Sequence, residues 1–266
     1  MTVSLIDSLA LEKSLAKRVK QHNIRVLTLD IETMAALVRV YGLFKQNVGL
    51  NQIVEPTKTL CLAYKWLDEK QTHFLRADDP AYAQTVYDLL CEADFVVHFN
   101  GIGFDIPHLQ KDLVLAGFPP PTPFKQIDLL RVVRKNFRFL SNKLDHVAQE
   151  LGVGAKVQHA GFDLWRRCAE GDPKAWKEME RYNRGDIKVT EGLLIRLLPW
   201  IPMSAHLGQY TGQDHSCPNC GCTELTFLGT TYANVTSYKL YRCDECGKPV
   251  RSARKLQKTP STRAAH

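Results

Sequence analysis

The chain has 266 residues, of which 44% are hydrophobic and 24% charged, with a formal net charge of +7. That suits one medium globular domain plus a small one, and no run approaches the ~18 apolar residues of a membrane span. Met1 to Ala10 shows no basic start followed by a long apolar core, so no secretory signal is expected and a reducing, cytoplasmic setting is the default. The charge excess favours polyanionic partners, but only weakly.

Residues 5–20 read as an amphipathic helix, with Leu5, Leu9, Leu15 and Val19 at near-helical spacing. Its Lys13, Lys17, Arg18 and Lys20 form either a solvated face or a polyanion contact. A buried strand follows at 24–32. Residues 34–57 make a long connection in which Tyr41 and Phe44 either pack into the core or stack on bases. Thr59 to Trp66 and Thr72 to Arg76 read as a hairpin turned by Asp68-Glu69-Lys70. Asp79 and Pro80 start a helix that runs to about Cys91.

Asp94 to Phe99 is a short buried strand broken by Asn100-Gly101, and a helix carries Asp105 in its first turn and ends near Gly117. Two further helices are expected at Ile127 to Arg138 and Lys143 to Leu151, the second stopped by Gly152. Asp172-Pro173 starts the last long helix, which runs to Leu198 before Pro199 and Pro202 end it. The division expected is an N-terminal helix at 1–23, an α/β domain at 24–204, a small cysteine module at 205–250 and a disordered basic tail at 251–266.

Four acids stand out. Asp30 and Glu32 share one face at the end of a buried strand, where desolvation and mutual repulsion both count against them. A cation relieves both costs. Asp105 and Asp186 supply two more carboxylates from other elements. Hard divalent ions take oxygen ligands. Phosphodiester hydrolysis by two ions ~3.5–4 Å apart needs such convergence.

Three motifs, Asp30-Ile-Glu32-Thr33, His98-Phe-Asn100-Gly-Ile-Gly-Phe104-Asp105 and Tyr182-x3-Asp186, resemble those of the DEDD superfamily of 3′–5′ exonucleases. The Tyr-x3-Asp spacing is similar to the tyrosine subclass, and the chain looks most like the exonuclease domain of B-family DNA polymerases over residues 24–200. The resemblance implies a ribonuclease H-like α/β fold, a mixed five-stranded sheet flanked by helices. It implies two Mg²⁺ or Mn²⁺ ions, with Asp30 bridging them, Glu32 and Asp186 on the ion that activates water, and Asp105 on the second. Tyr182 would position the attacking water, since a phenol of pKa ~10 is a poor base at neutral pH. Ordinary helix packing is the other reading of Tyr182. Asn100 and Phe104 would flank the terminal nucleotide, with the backbone of Thr33 and Met34 close by. Phe104 is equally readable as core. Asp128 suits a helix cap and His98 a packed strand residue. Trp165, followed by Arg166 and Arg167, could line a groove or pack.

Cys217-x2-Cys220 and Cys243-x2-Cys246 stand 22 residues apart, the spacing of a zinc ribbon that holds one structural Zn²⁺. Cys222 is spare, although it could replace Cys220 in another register. Cys61, Cys91 and Cys168 are expected as inert thiols. The ribbon could dock a protein partner or grip nucleic acid, the latter through Lys239, Arg242, Lys248 and a tail in which residues 248–266 hold six Lys or Arg and no acid. The reading with most behind it is a metal-dependent 3′–5′ exonuclease that releases nucleoside 5′-monophosphates from single-stranded DNA. An RNA-trimming exonuclease, an endonuclease on the same fold and a non-catalytic nucleic-acid adaptor are the alternatives. No membrane association is expected.

Overall fold

The structure, a computed structural model, describes residues 7–42, 44–154, 161–233 and 235–256. Leu5 of the expected first helix and residues 257–266 of the expected tail lie outside them. In chain order the elements are α1 (Ser8–Gln21), β1 (Val26–Met34), β2 (Leu37–Val38), β3 (Ile53–Glu55), β4 (Lys58–Trp66), β5 (His73–Arg76) and α2 (Tyr82–Glu92). Next come β6 (Phe95–His98), α3 (Asp105–Leu115), β7 (Lys125–Asp128), α4 (Leu129–Asn136), α5 (Leu144–Glu150), α6 (Phe162–Ala169) and α7 (Pro173–Leu197). The chain continues with α8 (Gly208–Thr211), β8 (Leu225–Ala233), β9 (Thr236–Cys243) and β10 (Pro249–Lys255). Among the described residues no helix is long and apolar enough to cross a membrane.

Five strands form one mixed sheet in the order β5-β4-β1-β6-β7. The β4–β5 hairpin makes one half antiparallel, and β1, β6 and β7 run parallel because helices carry the chain back between them. Alternation along β1 divides its side chains. Leu27, Leu29 and Ile31 pack under α2 and α3 with Val86, Leu90 and Leu109. Val26 faces the other layer, where α1, α4, α5 and the C-terminal half of α7 bury Leu15, Val133, Val147 and Leu193. Thr28, Asp30 and Glu32 share that face by the same period of two.

Four sequence expectations need correction. Ile127 and Asp128 belong to a fifth strand, because Gln126 and Ile127 pair with β6, and the helix starts only after Asp128, which caps it by accepting from the N–H groups of Leu130 and Arg131. In α1, capped by Asp7, the buried stripe is Leu11, Leu15 and Val19, while Leu9 is exposed. Residues 162–169, which the sequence shows only as part of a polar segment leading to Asp172-Pro173, form a helix with Leu164 and Cys168 inward. The basic stretch at 251–255 is the outer part of β10, an edge strand whose charged side chains face solvent.

β8, β9 and β10 form a second, three-stranded sheet around the cysteine module. The module is seated on the larger domain. Its four paired cysteines share a core cluster with α1 and the end of α7. Asn219 Nδ2 donates to the carbonyls of Leu198 and, at 2.9 Å, Ile201, and Lys248 Nζ donates to Ile201 O at 2.9 Å. Arg18 donates to Cys220 O and pairs with Glu245 at 3.0 Å, so one member of the basic cluster on α1 holds the module in place. Leu207 is buried in the core cluster shared by the two parts, which anchors the 203–214 connection at that residue.

Candidate functional site

β1 carries Asp30 and Glu32 to the open end of the sheet. β6 pairs with it only as far as Thr28, since Asn100 adopts φ +77° and the chain turns away. The N–H of Ile31 then has no strand to bond. Asp105, in the first turn of α3, takes that place: its Oδ1 accepts from Ile31 N at 3.0 Å. The carboxyl is 3% exposed, and burial pushes its pKa up to about 7 against the pull of the backbone N–H of Ile31.

α7 crosses the other side of the strand end. Asp172 caps it, accepting from Lys174 N at 2.8 Å, and Pro173 opens the first turn. Helical spacing then turns Tyr182, Asn183 and Asp186 to one buried face. Asp30, Glu32 and Asp186 each offer a carboxylate oxygen, and the three oxygens lie within 4.8 Å of one another. These acids are 156 residues apart in the chain at their extremes, 30 to 186, and the fold makes them neighbours. An all-oxygen donor set of three carboxylates suits a hard divalent cation. Asp105 is not in that group of three, but its bond to Ile31 sets it beside the backbone between Asp30 and Glu32.

Two residues that hold these acids are absent from the sequence candidates for that role. Asn183 Nδ2 donates to Asp30 Oδ2 at 2.7 Å and lies 3.3 Å from Asp30 O. Its Oδ1 faces the Cys61 thiol, with Sγ at 3.8 Å. Burial first, then the charges of Glu32 and Asp30, push that thiol's pKa well above its usual value and keep it neutral. Trp165 Nε1 donates to Glu32 Oε2 at 3.1 Å, and its ring meets Tyr182 edge-on at 5.9 Å. The sequence does hold a signal for Asn183: a polar residue on the same helical face as Tyr182 and Asp186. Trp165 has no comparable signal, since its sequence context offers it only as a groove-lining or packed residue.

The remaining sequence candidates surround the acids. Glu32 pairs with Cys61 and Thr33 with Thr59, so a bulge shifts the register between the two β1 residues. Met34 rests against the cluster that contains Tyr182 and Met179. Phe104 is not core: it is 38% exposed, with its ring 4.8 Å from that of His108. Asn100 donates its N–H to Asp128 Oδ1 at 3.1 Å, so Asp128 shapes this loop as well as capping α4. His98 is fully buried, its Nδ1 accepting from Gly101 N and its Nε2 facing Gln126 Oε1, both at 3.0 Å. Burial lowers its pKa and keeps it neutral. Tyr41 and Phe44 are exposed on the β2–β3 excursion, which removes core packing as their role.

In the small module Cys217, Cys220, Cys243 and Cys246 place their sulfurs within 4.8 Å of one another. Cys217 and Cys246 are 3.6 Å apart, and Cys220 and Cys243 3.5 Å. A tetrahedral ion with ~2.3 Å metal–sulfur bonds calls for edges of roughly 3.8 Å, so the set fits zinc. Cys222 is outside the four: its carbonyl closes the loop by accepting from Cys217 N at 2.8 Å.

No curated protein matches the chain. Among solved structures it is similar to the family B DNA polymerase from the hyperthermophilic archaeon Pyrobaculum calidifontis, at 21% identity and a TM-score of 0.49. That likeness covers 66% of this chain and 25% of the polymerase, so the chain spans about a quarter of that protein's length. The family model RNase_H_2, described as RNase_H superfamily, matches residues 49–198, from just before β3 to the end of α7. More than half of the sequence lies inside that match, and the chain therefore belongs to the RNase H superfamily.

Proposed function

We propose that this protein is a metal-dependent 3′–5′ exonuclease that releases nucleoside 5′-monophosphates from single-stranded DNA. The observation that carries the reading is the convergence of Asp30, Glu32 and Asp186 from two distant elements onto one point. A surface that only bound nucleic acid would gain by losing negative charge where phosphates approach.

Asp30, Glu32 and Asp186 would hold Mg²⁺ or Mn²⁺, with Asp105 beside them. Bound there, two such ions would supply a hydroxide at neutral pH and stabilise the leaving oxygen. Asn183 and Trp165 fix the rotamers of Asp30 and Glu32, so the carboxylates are organised before substrate arrives. Tyr182 lies one turn before Asp186 and contributes orientation of the attacking water. Phe104 offers an exposed ring to the terminal base, and Asn100 lies four residues before it in the same loop. The four thiolates of the small module would be saturated by one structural Zn²⁺, which leaves no open position for chemistry.

The test is cleavage of single and double strands labelled at the 3′ or the 5′ end, as DNA and as RNA of one sequence, with and without Mg²⁺. Stepwise shortening from the 3′ end of single-stranded DNA is expected. The Asp30→Ala, Asp186→Ala double variant should lose cleavage and keep most of its binding. Equal behaviour of variant and wild type would overturn the reading in favour of an adaptor. Faster RNA trimming would move the substrate class, and cutting of circular strands would exclude an exonuclease.

A further inference from the structure

The small module has its own groove of about 500 Å³, bounded by the connection before Cys217 on one side and by β9 and β10 on the other. Lys239, Arg251, Arg254 and Lys255 line it, and among the described residues that line it Asp214 is the one acid. None of these four cations makes a salt bridge with a described residue, whereas Arg18 next door is paired with Glu245. Such a concentration of uncompensated charge is costly to maintain by self-repulsion and is relieved by an anionic occupant.

β10 is shaped to present this charge. Arg251 pairs with Leu240 and Lys255 with Tyr238, so four steps along β10 match two along β9. The surplus residues form a bulge, fastened by Ser252 Oγ, which accepts from Arg254 N at 3.0 Å and donates to Arg254 O at 3.1 Å. Arg251 is braced over the Tyr238 ring at 4.3 Å. The floor is aromatic: Tyr241 lies edge-on to His215 at 5.1 Å. By contrast, Arg242 and Lys248, expected from the sequence as gripping residues, donate inward to Gly247 O at 3.2 Å and Ile201 O at 2.9 Å.

The geometry points to a second nucleic-acid site: this groove binds the phosphodiester backbone of a single strand, with Arg251, Arg254, Lys255 and Lys239 on phosphates and Tyr241 and His215 under bases. An acidic peptide would satisfy the charge but leave the aromatic floor without flat partners. The identity of the occupant rests on the nuclease reading, which makes nucleic acid the polyanion this protein meets.

The test uses the full chain carrying Asp30→Asn, so that the strand is not consumed, and a fluorescein-labelled single-stranded oligonucleotide of mixed sequence. Combined Arg251→Ala, Arg254→Ala and Lys255→Ala substitution should weaken binding about tenfold at near-physiological salt and lower the salt slope by roughly 2. Arg251→Lys with Arg254→Lys should restore most of the affinity, which a misfolded module could not do. Lys70→Ala, a loss of charge on the far hairpin, should leave both quantities unchanged. Equal affinity and slope in the triple-alanine variant would overturn the proposal, as would tighter binding of a labelled poly-glutamate peptide than of the oligonucleotide. Cleavage by the native chain is measured separately. A groove effect without cleavage would fail the nuclease reading alone, and cleavage without a groove effect would fail this proposal alone.

Discussion

Asn183 on α7 reaches Asp30 on β1 with a 2.7 Å hydrogen bond from its Nδ2, joining a helix to a strand 153 residues away at the carboxylate where metal binding is proposed. Because Asn183 is fully buried, its amide has no water to turn to, and the bond fixes which way Asp30 points. Asn183→Ala should lower cleavage by about 10- to 100-fold and raise the Mg²⁺ concentration needed for half-maximal rate, the usual consequence of removing a group that orients a ligand. A Mg²⁺ titration of single-turnover rates reads both effects. Loss of rate with an unchanged Mg²⁺ requirement would count against this role.

Trp165 does the same for Glu32 through its indole N–H at 3.1 Å. Trp165→Phe keeps an aromatic edge against Tyr182 and removes only the donor. The thermal midpoint should stay close to wild type while the rate falls about tenfold. If the ring alone matters, the phenylalanine variant will cleave at the native rate.

Asp105 makes stability depend on pH when divalent ions are absent. Below its ordinary value of 3.8 the carboxyl is neutral in both folded and unfolded chains. Between about pH 4 and 7 the unfolded chain ionises it and the folded chain resists, so the folded state loses ground as pH rises. Asp105→Asn should abolish that component, and the difference between wild-type and variant thermal midpoints should therefore change across this window and level off above it. A constant difference from pH 4 to 8 would show that Asp105 is ionised throughout.

Gly101 leaves no room for a side chain. A Cβ there would lie 2.3 Å from Cγ of His98, a buried ring held between Gly101 N and Gln126. Gly101→Ala should destabilise the protein by about 1–3 kcal/mol in chemical denaturation, the range for overpacking a tight site. Shortening the ring with His98→Ala in the same chain should recover part of that loss, and strict additivity of the two substitutions would contradict the clash.

Thiol reactivity tests for the ion proposed in the cysteine module. Four sulfurs sit within 4.8 Å of one another. In the metal-loaded protein they should resist a thiol reagent, and a strong zinc chelator should add four reactive thiols per chain. The same treatment should loosen α1, since Arg18 is bonded to Cys220 and Glu245. A reactive-thiol count indifferent to chelation would argue against a metal at this site.

Much of the site is legible in the order of the residues. Two acids on one face of a buried strand are costly enough by themselves to announce a cation, and Tyr182 and Asp186 declare a shared helical face by their spacing. The two Cys-x2-Cys pairs specify their own geometry. The illegible parts depend on partners far along the chain. Nothing local marks Trp165 as a donor to Glu32, and Ile127-Asp128 reads as the start of a helix because its strand partner, β6, is 30 residues upstream.

The sequence by itself determined most of the elements, though not β7, α6 or β10, and the chemistry they carry, because hydrophobic period, caps and ligand spacing act over a few residues. Only the tertiary structure decided which carboxylates share a point, that Asp105 bonds the strand backbone, and which cations on the small module lack a salt bridge among the described residues. Those outcomes turn on where β6 stops, how α7 crosses β1 and how β10 bulges. Each is set by packing between segments that no local pattern relates.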